Sequence, residues 1–207
     1  MKNPYNFNPF FFQRDVTEFL NAFTKDEINP FTKWVKESQE LTYDNGIDYP
    51  LDEAEENKIS PKSLGRKQYI IPFQQNDNDV YNTFIDKLAY MSQQANMRYG
   101  FDLDNFLSLN YFEYTSDSDG NGLPWHMDIS KGTSSYRKMS FTLQLSDEDE
   151  YTGGQMEVFI DHNMIYKLPK TYGTLSFFPS YMVHRVTNVL SGTRKAIVGF
   201  IGGKPFK

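Results

Sequence analysis

Trp125-His126-Met127-Asp128 places an imidazole and a carboxylate at i and i+2. On a strand that spacing puts both side chains on one face, because strand side chains alternate. Val183-His184-Arg185-Val186 is a second short β-branched run, with a metal-capable histidine inside it. Two imidazoles and one carboxylate, with half the coordination sphere left open, form the facial ligand set of a non-heme Fe(II) centre. The same set also suits zinc. Ten positions after His184, Arg194 opens the run Lys195-Ala196-Ile197-Val198-Gly199-Phe200-Ile201. A cation at the head of a buried strand needs an anion, such as the far carboxylate of a small co-substrate.

Blander explanations compete. A His-x-Asp pair is common, and a histidine hydrogen-bonded in a turn accounts for it as well. His184 and Arg194, each in a strand-like run, weigh against that. His162, the third histidine, lies in the turn Asp161-His162-Asn163. A ligand there would ride on a hairpin, a poor way to fix a metal. A serine hydrolase lacks its Gly-x-Ser-x-Gly elbow. A zinc hydrolase of the His-Glu-x-x-His type lacks its helix motif, and Arg194 would have no task.

Composition narrows the field further. The 207 residues fit one domain with a substantial core, for which 18 Phe and 14 Tyr supply bulk. The absence of cysteine removes disulfides and thiolate metal sites. A net charge of −6 disfavours a broad nucleic-acid surface. No apolar window is long enough to span a bilayer. Met1-Lys2-Asn3-Pro4 does not lead into the apolar run of a signal peptide. A cytoplasmic protein without a membrane partner is the expectation.

The elements that must position these residues follow in order. Phe10-Phe11-Phe12 is expected to pack on the domain, and residues 15–23 to form a short strand or helical turn. Thr24 and Glu27 have capping-box spacing and open a helix over 24–40, with Pro30 as a potential kink. Residues 42–66 read as a long loop whose acidic run Asp52–Glu56 is a solvated face or part of a lid. Tyr69-Ile70-Ile71 suggests a short strand ended by Pro72. Val80, Phe84, Leu88, Met91 and Ala95 make one helical stripe over 79–98, stopped by Gly100. From 106 onward the pattern is strands: 106–114, 123–129, 137–146, 154–160, 164–168, 173–178, 183–189 and 194–202. Ser116–Gly122 is a turn, not a calcium loop, since the downstream glutamate is missing. Many short strands at near-regular spacing argue for a sandwich or small barrel.

The C-terminal half resembles the 2-oxoglutarate- and Fe(II)-dependent dioxygenases of the prolyl-4-hydroxylase-like branch. The resemblance runs from about Phe106 to Phe206. It rests on Trp125-His126-Met127-Asp128, Arg137-Lys138-Met139-Ser140, Leu145-Ser146, Tyr151-Thr152-Gly153-Gly154, Gly173-Thr174-Leu175, Phe178-Pro179-Ser180, His184-Arg185-Val186 and Ser191-Gly192-Thr193-Arg194. It implies a mainly β fold, a double-stranded β-helix or jelly roll of the cupin-like kind with supporting N-terminal α-helices. The whole chain, 1–207, is then one dioxygenase domain, with 1–100 as helical support and loop and 101–207 as the jelly-roll core. It implies that His126, Asp128 and His184 bind Fe(II), with 2-oxoglutarate and O2 as co-substrates. Arg194 would pair with the C5 carboxylate of 2-oxoglutarate. A tyrosine on the strand before the His-x-Asp motif often helps hold that co-substrate, which nominates Tyr114 first and Tyr111 second. Thr142 and Gln144 would join them if the polar face of their strand looks into the barrel. An ordinary polar outer face is the alternative.

The resemblance also bears on the reaction and its substrate. Family members that halogenate leave the carboxylate position empty, so Asp128 favours hydroxylation. The nucleic-acid demethylases carry a second arginine six positions after the co-substrate arginine, where this chain has Phe200. The branch's best-known substrate is a prolyl residue in a peptide or protein. Trp125, Tyr136, Tyr151, Phe159 and Tyr181 are candidates for a peptide groove. A free amino acid or small metabolite stays open as substrate, as does a catalytically idle metal-binding jelly roll.

Overall fold

The computed structural model describes residues 16–39, 41–44, 66–71, 73, 78–117, 121–161 and 164–206. The Phe10–Phe12 run, most of the 42–66 loop with its acidic cluster, Pro72 and the His162 turn lie outside the described residues.

Among the described residues, two helices pack against a pair of antiparallel sheets. In chain order the elements are β1 (Thr17–Phe19), α1 (Lys25–Ser38), β2 (Leu41–Asp44), β3 (Arg66–Ile71), α2 (Asp79–Tyr99), β4 (Asn105–Thr115) and β5 (Leu123–His126). A 3-10 turn (Gly132–Tyr136) precedes β6 (Arg137–Gln144), β7 (Tyr151–Gly153), β8 (Met156–Asp161) and β9 (Met164–Lys167). The chain closes with β10 (Leu175–Pro179), β11 (His184–Val186) and the long β12 (Val189–Gly202).

Local chemistry explains both helices. At the start of α1, the Thr24 hydroxyl accepts from the Glu27 N–H, and the Glu27 carboxylate accepts from the Thr24 N–H at 2.8 Å. That reciprocal pair satisfies two orphan donors. The helix runs through Pro30 without stopping. A proline this near the N-terminus removes one early hydrogen bond, and burial of Ile28, Phe31 and Val35 compensates. α2 is capped by the Asn78 side chain and ends on Gly100 in the left-handed region, φ 68°. Its stripe buries Phe84, Leu88 and Ala95, and Phe84 stacks on Phe31 of α1 with ring centres 3.8 Å apart.

The larger sheet has the order β1-β10-β6-β12-β4-β3-β2, and the smaller one β5-β11-β8-β9. β7 pairs with the N-terminal end of β12. This is the jelly roll expected from the sequence, with the helices on the outer face of the larger sheet. One core lies between helices and sheet, where Leu109, Tyr111, Met139, Phe141, Leu143, Leu175, Phe177 and Ile197 meet α1 and α2. A second lies between the sheets, with Phe112, Tyr114, Met156, Val158, Phe178 and Val186. Alternation along β6 therefore sends Met139, Phe141 and Leu143 to the helices. It sends Ser140, Thr142 and Gln144 to the space between the sheets, where all three are buried. Among the described residues no helix is long and apolar enough to cross a membrane.

Glu113 ties α1 to the sheet. Its carboxylate accepts from Lys36 at 2.5 Å and from the Tyr111 hydroxyl at 2.8 Å, and lies 4.0 Å from Lys67. Burial alone would raise its pKa, but the Lys36 and Tyr111 hydrogen bonds hold it below the ordinary 4.5. A depressed folded-state pKa contributes stability that is complete above the unfolded value and fades as pH falls through the folded one. Denaturant titrations should show the wild type losing stability below about pH 4.5. Glu113→Gln should flatten that part of the profile.

Candidate metal centre and co-substrate cleft

The antiparallel pairing of β5 with β11 sets His126 directly opposite His184. Residues opposite each other share a face. Both imidazoles therefore point between the sheets, with ring centres 4.1 Å apart. Each ring is fixed in the same way. His126 Nδ1 bonds the Pro124 carbonyl at 2.8 Å, and His184 Nδ1 bonds the Met182 carbonyl at 2.9 Å. A carbonyl only accepts, so each Nδ1 carries a proton and each Nε2 is the nitrogen turned inward.

Asp128 completes the cluster. β5 ends at His126 rather than at 129, so Asp128 lies just past the strand. It is anchored there by its N–H to the Ser180 carbonyl at 3.0 Å and by Arg137, which donates to its carbonyl at 3.0 Å. Its carboxylate oxygens lie 3.5 Å from His126 Nε2 and 3.4 Å from His184 Nε2. One ligand atom from each of the three residues lies within 4.8 Å of the others.

The three groups differ in protonation. Burial would raise the Asp128 pKa, but the His126 hydrogen bond, the His184 charge and Ser140 hold it below its ordinary value. Burial pushes His184 down and favours its neutral form. His126 is pushed down by burial too, but its bonds to Asp128 and the Pro124 carbonyl outweigh that and raise it. The donor set, two imidazole nitrogens and one carboxylate on one side, fits a divalent ion with open coordination positions, whose binding would displace a proton from His126.

Ser140 donates to Asp128 Oδ2 at 2.6 Å and lies 2.9 Å from the Ser180 hydroxyl. Its single proton is given to the carboxylate, so Ser180 donates to Ser140. Ser140→Ala should leave Asp128 free to rotate and weaken metal binding by roughly 10–100-fold, the usual cost of losing a ligand's supporting hydrogen bond. Anaerobic titration with Fe(II) measures it, and an unchanged affinity would remove this role.

A cleft of about 660 Å³ runs from the three ligand residues into the barrel. Tyr114, Thr142 and Arg194 line it along with His126, Asp128 and His184. Arg194 is 2% exposed, opposite Tyr114 across the strands, with its guanidinium 5.0 Å from the Tyr114 ring centre. Among the described residues its Nη1 has no hydrogen-bond partner, and neither do the buried hydroxyls of Thr142 and Thr174. All three residues line one small adjoining cavity. Three orphaned polar groups around one space are costly in a folded protein unless something fills it. A carboxylate would accept from all of them, so the residues present fit 2-oxoglutarate as well as a metal.

Gln144 and Tyr151 border the same small cavity. Gln144 Nε2 donates to the Tyr151 hydroxyl at 2.9 Å, and Arg194 lies beside that hydroxyl. Two sequence expectations, Tyr111 in the cleft and Tyr151 in a peptide groove, need correction. Tyr111 is one residue off the register of Phe112 and Tyr114, so it points into the helix-side core and is barred from the cleft. Tyr151 is buried at the Arg194 end, not in an outer groove. Trp125 and Phe159 alternate with His126 and Val158, so they face outward, where their rings meet edge to face at 6.3 Å. Tyr136 and Tyr181 do not line the cleft either; Phe112, Phe178 and Phe200 do. Ser140, Thr174 and Tyr151 gained their roles only from the sheet pairing, which the sequence does not display.

Residues 109–202 match the model of the 2OG-Fe(II) oxygenase superfamily. A PKHD-type hydroxylase of Prochlorococcus marinus is 37% identical over 89 residues, 42% of this chain and 39% of that one. A second, from Synechococcus sp. strain CC9605, is 38% identical over 86 residues, 41% of this chain and 38% of that one. The matched segment thus spans about two fifths of these relatives' length. Among solved structures, a Pseudomonas putida prolyl-4-hydroxylase superposes with a TM-score of 0.64 over 92% of this chain and 93% of its own, at 14% identity. A Trichoplax adhaerens prolyl hydroxylase, solved with a hypoxia inducible factor peptide fragment, gives 0.63 over 91% of this chain and 83% of its own, again at 14% identity. At that identity the likeness is one of fold. Residues 109–202 thus resemble the 2OG-Fe(II) oxygenase superfamily, and the chain shares the jelly-roll fold of these prolyl hydroxylases.

Proposed function

We propose that this chain is an Fe(II)- and 2-oxoglutarate-dependent dioxygenase that hydroxylates an aliphatic C–H, that of a prolyl residue in a peptide or protein. The observation that carries the reading is the joint orientation of two groups. Two imidazoles and a carboxylate converge at one end of a cleft, and a buried guanidinium with an unsatisfied N–H waits at the other.

His126, Asp128 and His184 would hold the metal, each giving one ligand atom from the same side. Bound iron with 2-oxoglutarate and O2 supplies the oxidising power, one oxygen atom going to the substrate carbon and the other to succinate, with CO2 released. The protein's share is placement. Arg194 grips the far carboxylate with a charge-assisted bond, helped by the Thr142 and Thr174 hydroxyls. Tyr114 and Gln144 border that site. The apolar walls from Phe112, Phe178 and Met156 exclude water from the reacting groups. Phe200 replaces the second arginine of the nucleic-acid demethylases, which favours a peptide.

Mixing the protein with Fe(II) and 2-oxoglutarate without air should give a metal-to-ligand charge-transfer absorbance. Admitting O2 with a cell-extract digest should then give peptides heavier by one oxygen at proline. A missing absorbance band would end the dioxygenase reading. Oxygen added only to free amino acids would redirect it to small molecules.

A further inference from the structure

The small cavity at the Arg194 end of the cleft holds a second cation. Lys170 borders it together with Arg194, Thr142, Thr174, Gln144 and Tyr151. Lys170 lies on the connection from β9 to β10, so it reaches the cavity from a different element than Arg194 on β12. That connection is pinned to β6. The Gly173 N–H donates to the Gln144 carbonyl at 2.8 Å, and the Gln144 N–H donates to the Thr174 carbonyl at 3.0 Å. Leu168, two residues before Lys170, is buried, and its N–H donates to the Met156 carbonyl at 3.0 Å. The backbone thus places Lys170 before any ligand arrives.

The Lys170 ammonium lies 4.0 Å from the Tyr151 ring centre and donates to the Gly153 carbonyl at 3.1 Å. A ring face and one carbonyl fix the group and use one of its three N–H donors. Among the described residues neither Lys170 nor Arg194 forms an ion pair with a carboxylate. Burial and the Arg194 charge lower the Lys170 pKa, with Glu148 acting weakly the other way. Two like charges at one cavity repel, and an anion shared by them removes the repulsion.

Tyr151 adds a proton with no acceptor. Gln144 Nε2 donates to the Ser146 carbonyl at 3.2 Å and to the Tyr151 hydroxyl at 2.9 Å. The Ser146 carbonyl only accepts, so the nitrogen of the Gln144 amide, not its oxygen, faces that side. The Tyr151 oxygen therefore receives from Gln144, and from Arg194 beside it. Neither of those groups can accept the phenol's single proton. Burial raises the Tyr151 pKa, so the proton stays on the oxygen. Gly154 lets the two side chains close up. A Cβ there would lie 3.0 Å from the Tyr151 ring and 3.1 Å from the Arg194 side chain.

We propose that Lys170 and Tyr151 are co-substrate-binding residues: the far carboxylate of 2-oxoglutarate is shared by the Arg194 and Lys170 cations and accepts the Tyr151 proton. The inference rests on the dioxygenase reading and deepens it. Two cations for one carboxylate make that charged group, rather than the length of the carbon chain, the determinant of co-substrate choice. A 2-oxo acid that lacks it leaves both cations and the phenol proton without a partner.

The test titrates the Fe(II)-loaded protein without air, following the charge-transfer band and the heat of binding. The probes are 2-oxoglutarate and 2-oxopentanoate, which has the same carbon chain and no far carboxylate. Lys170→Met and Tyr151→Phe should each weaken 2-oxoglutarate about tenfold or more, as the loss of one charge-assisted hydrogen bond implies, and leave 2-oxopentanoate within about twofold. Lys170→Arg should keep clearly more of the 2-oxoglutarate affinity than Lys170→Met. Methionine preserves the apolar stem over the Tyr151 ring on a half-buried turn, so Lys170→Met tests the charge and not the packing. Tyr151 is buried, and should its variant misfold, the Lys170 pair decides. Unchanged 2-oxoglutarate affinity in Lys170→Met, equal weakening of both probes, or Lys170→Arg no better than Lys170→Met would each overturn the proposal. Absence of the band in the wild type would instead overturn the dioxygenase reading beneath it.

Discussion

Asp128→Ala is expected to abolish both iron binding and turnover while leaving the fold intact. Among the described residues Asp128 supplies the only negative charge at the centre, so its loss leaves two imidazoles facing a dication. The loss should exceed the roughly 10–100-fold expected for a supporting hydrogen bond. The fold should survive because the residue sits beyond the end of β5, outside the sheet ladder. The Fe(II) titration, the charge-transfer band and succinate formation should fail together, with far-UV circular dichroism unchanged. Wild-type turnover in Asp128→Ala would remove the assignment of this residue to the metal.

Arg194→Ala should separate the two ends of the cleft. Iron affinity should stay at the wild-type level, because Arg194 makes no contact with the three ligand residues among the interactions described. Binding of 2-oxoglutarate should weaken by one charge-assisted contact, about 1.5–3 kcal/mol, or roughly 10–150-fold. The stability of the unloaded protein should move the other way or not at all. A buried cation whose Nη1 lacks a partner is a cost to folding that an apolar side chain relieves. A fixed metal affinity, a weaker co-substrate and an undiminished melting temperature would together mark a binding residue that opposes folding. Unchanged affinity for 2-oxoglutarate would refute the role.

Local signals in the sequence reach some of this architecture and stop short of the rest. The α2 stripe and the Thr24–Glu27 box needed only spacing along one helix, and both helices form where that spacing puts them. The strands after 105 are visible as alternating runs between turns, which argue for a sandwich or small barrel; the jelly roll itself follows from the family resemblance. Cross-strand pairing is another matter. That His126 faces His184, and Tyr114 faces Arg194, depends on the register of strands 58 and 80 positions apart. The choice between Tyr111 and Tyr114 turned on that register, since an odd step along a strand reverses the face. The outward direction of Trp125 is legible, because its neighbour His126 points inward on a strand whose side chains alternate. The Ser140 and Tyr151 contacts are not, because each joins elements that no local pattern links.

The two Nδ1-to-carbonyl bonds bear on how iron is acquired. Each carbonyl lies two residues upstream of its own histidine, on the same short segment. The rings are thus aimed by their own backbone rather than by the ion, and the socket exists before loading. Such a site does not need the metal in order to fold, and it accepts whichever divalent ion arrives. Selection then falls to the surroundings: Co(II), Ni(II) and Cu(II), which bind nitrogen and oxygen donors more tightly than Fe(II), would displace it wherever the supply allowed.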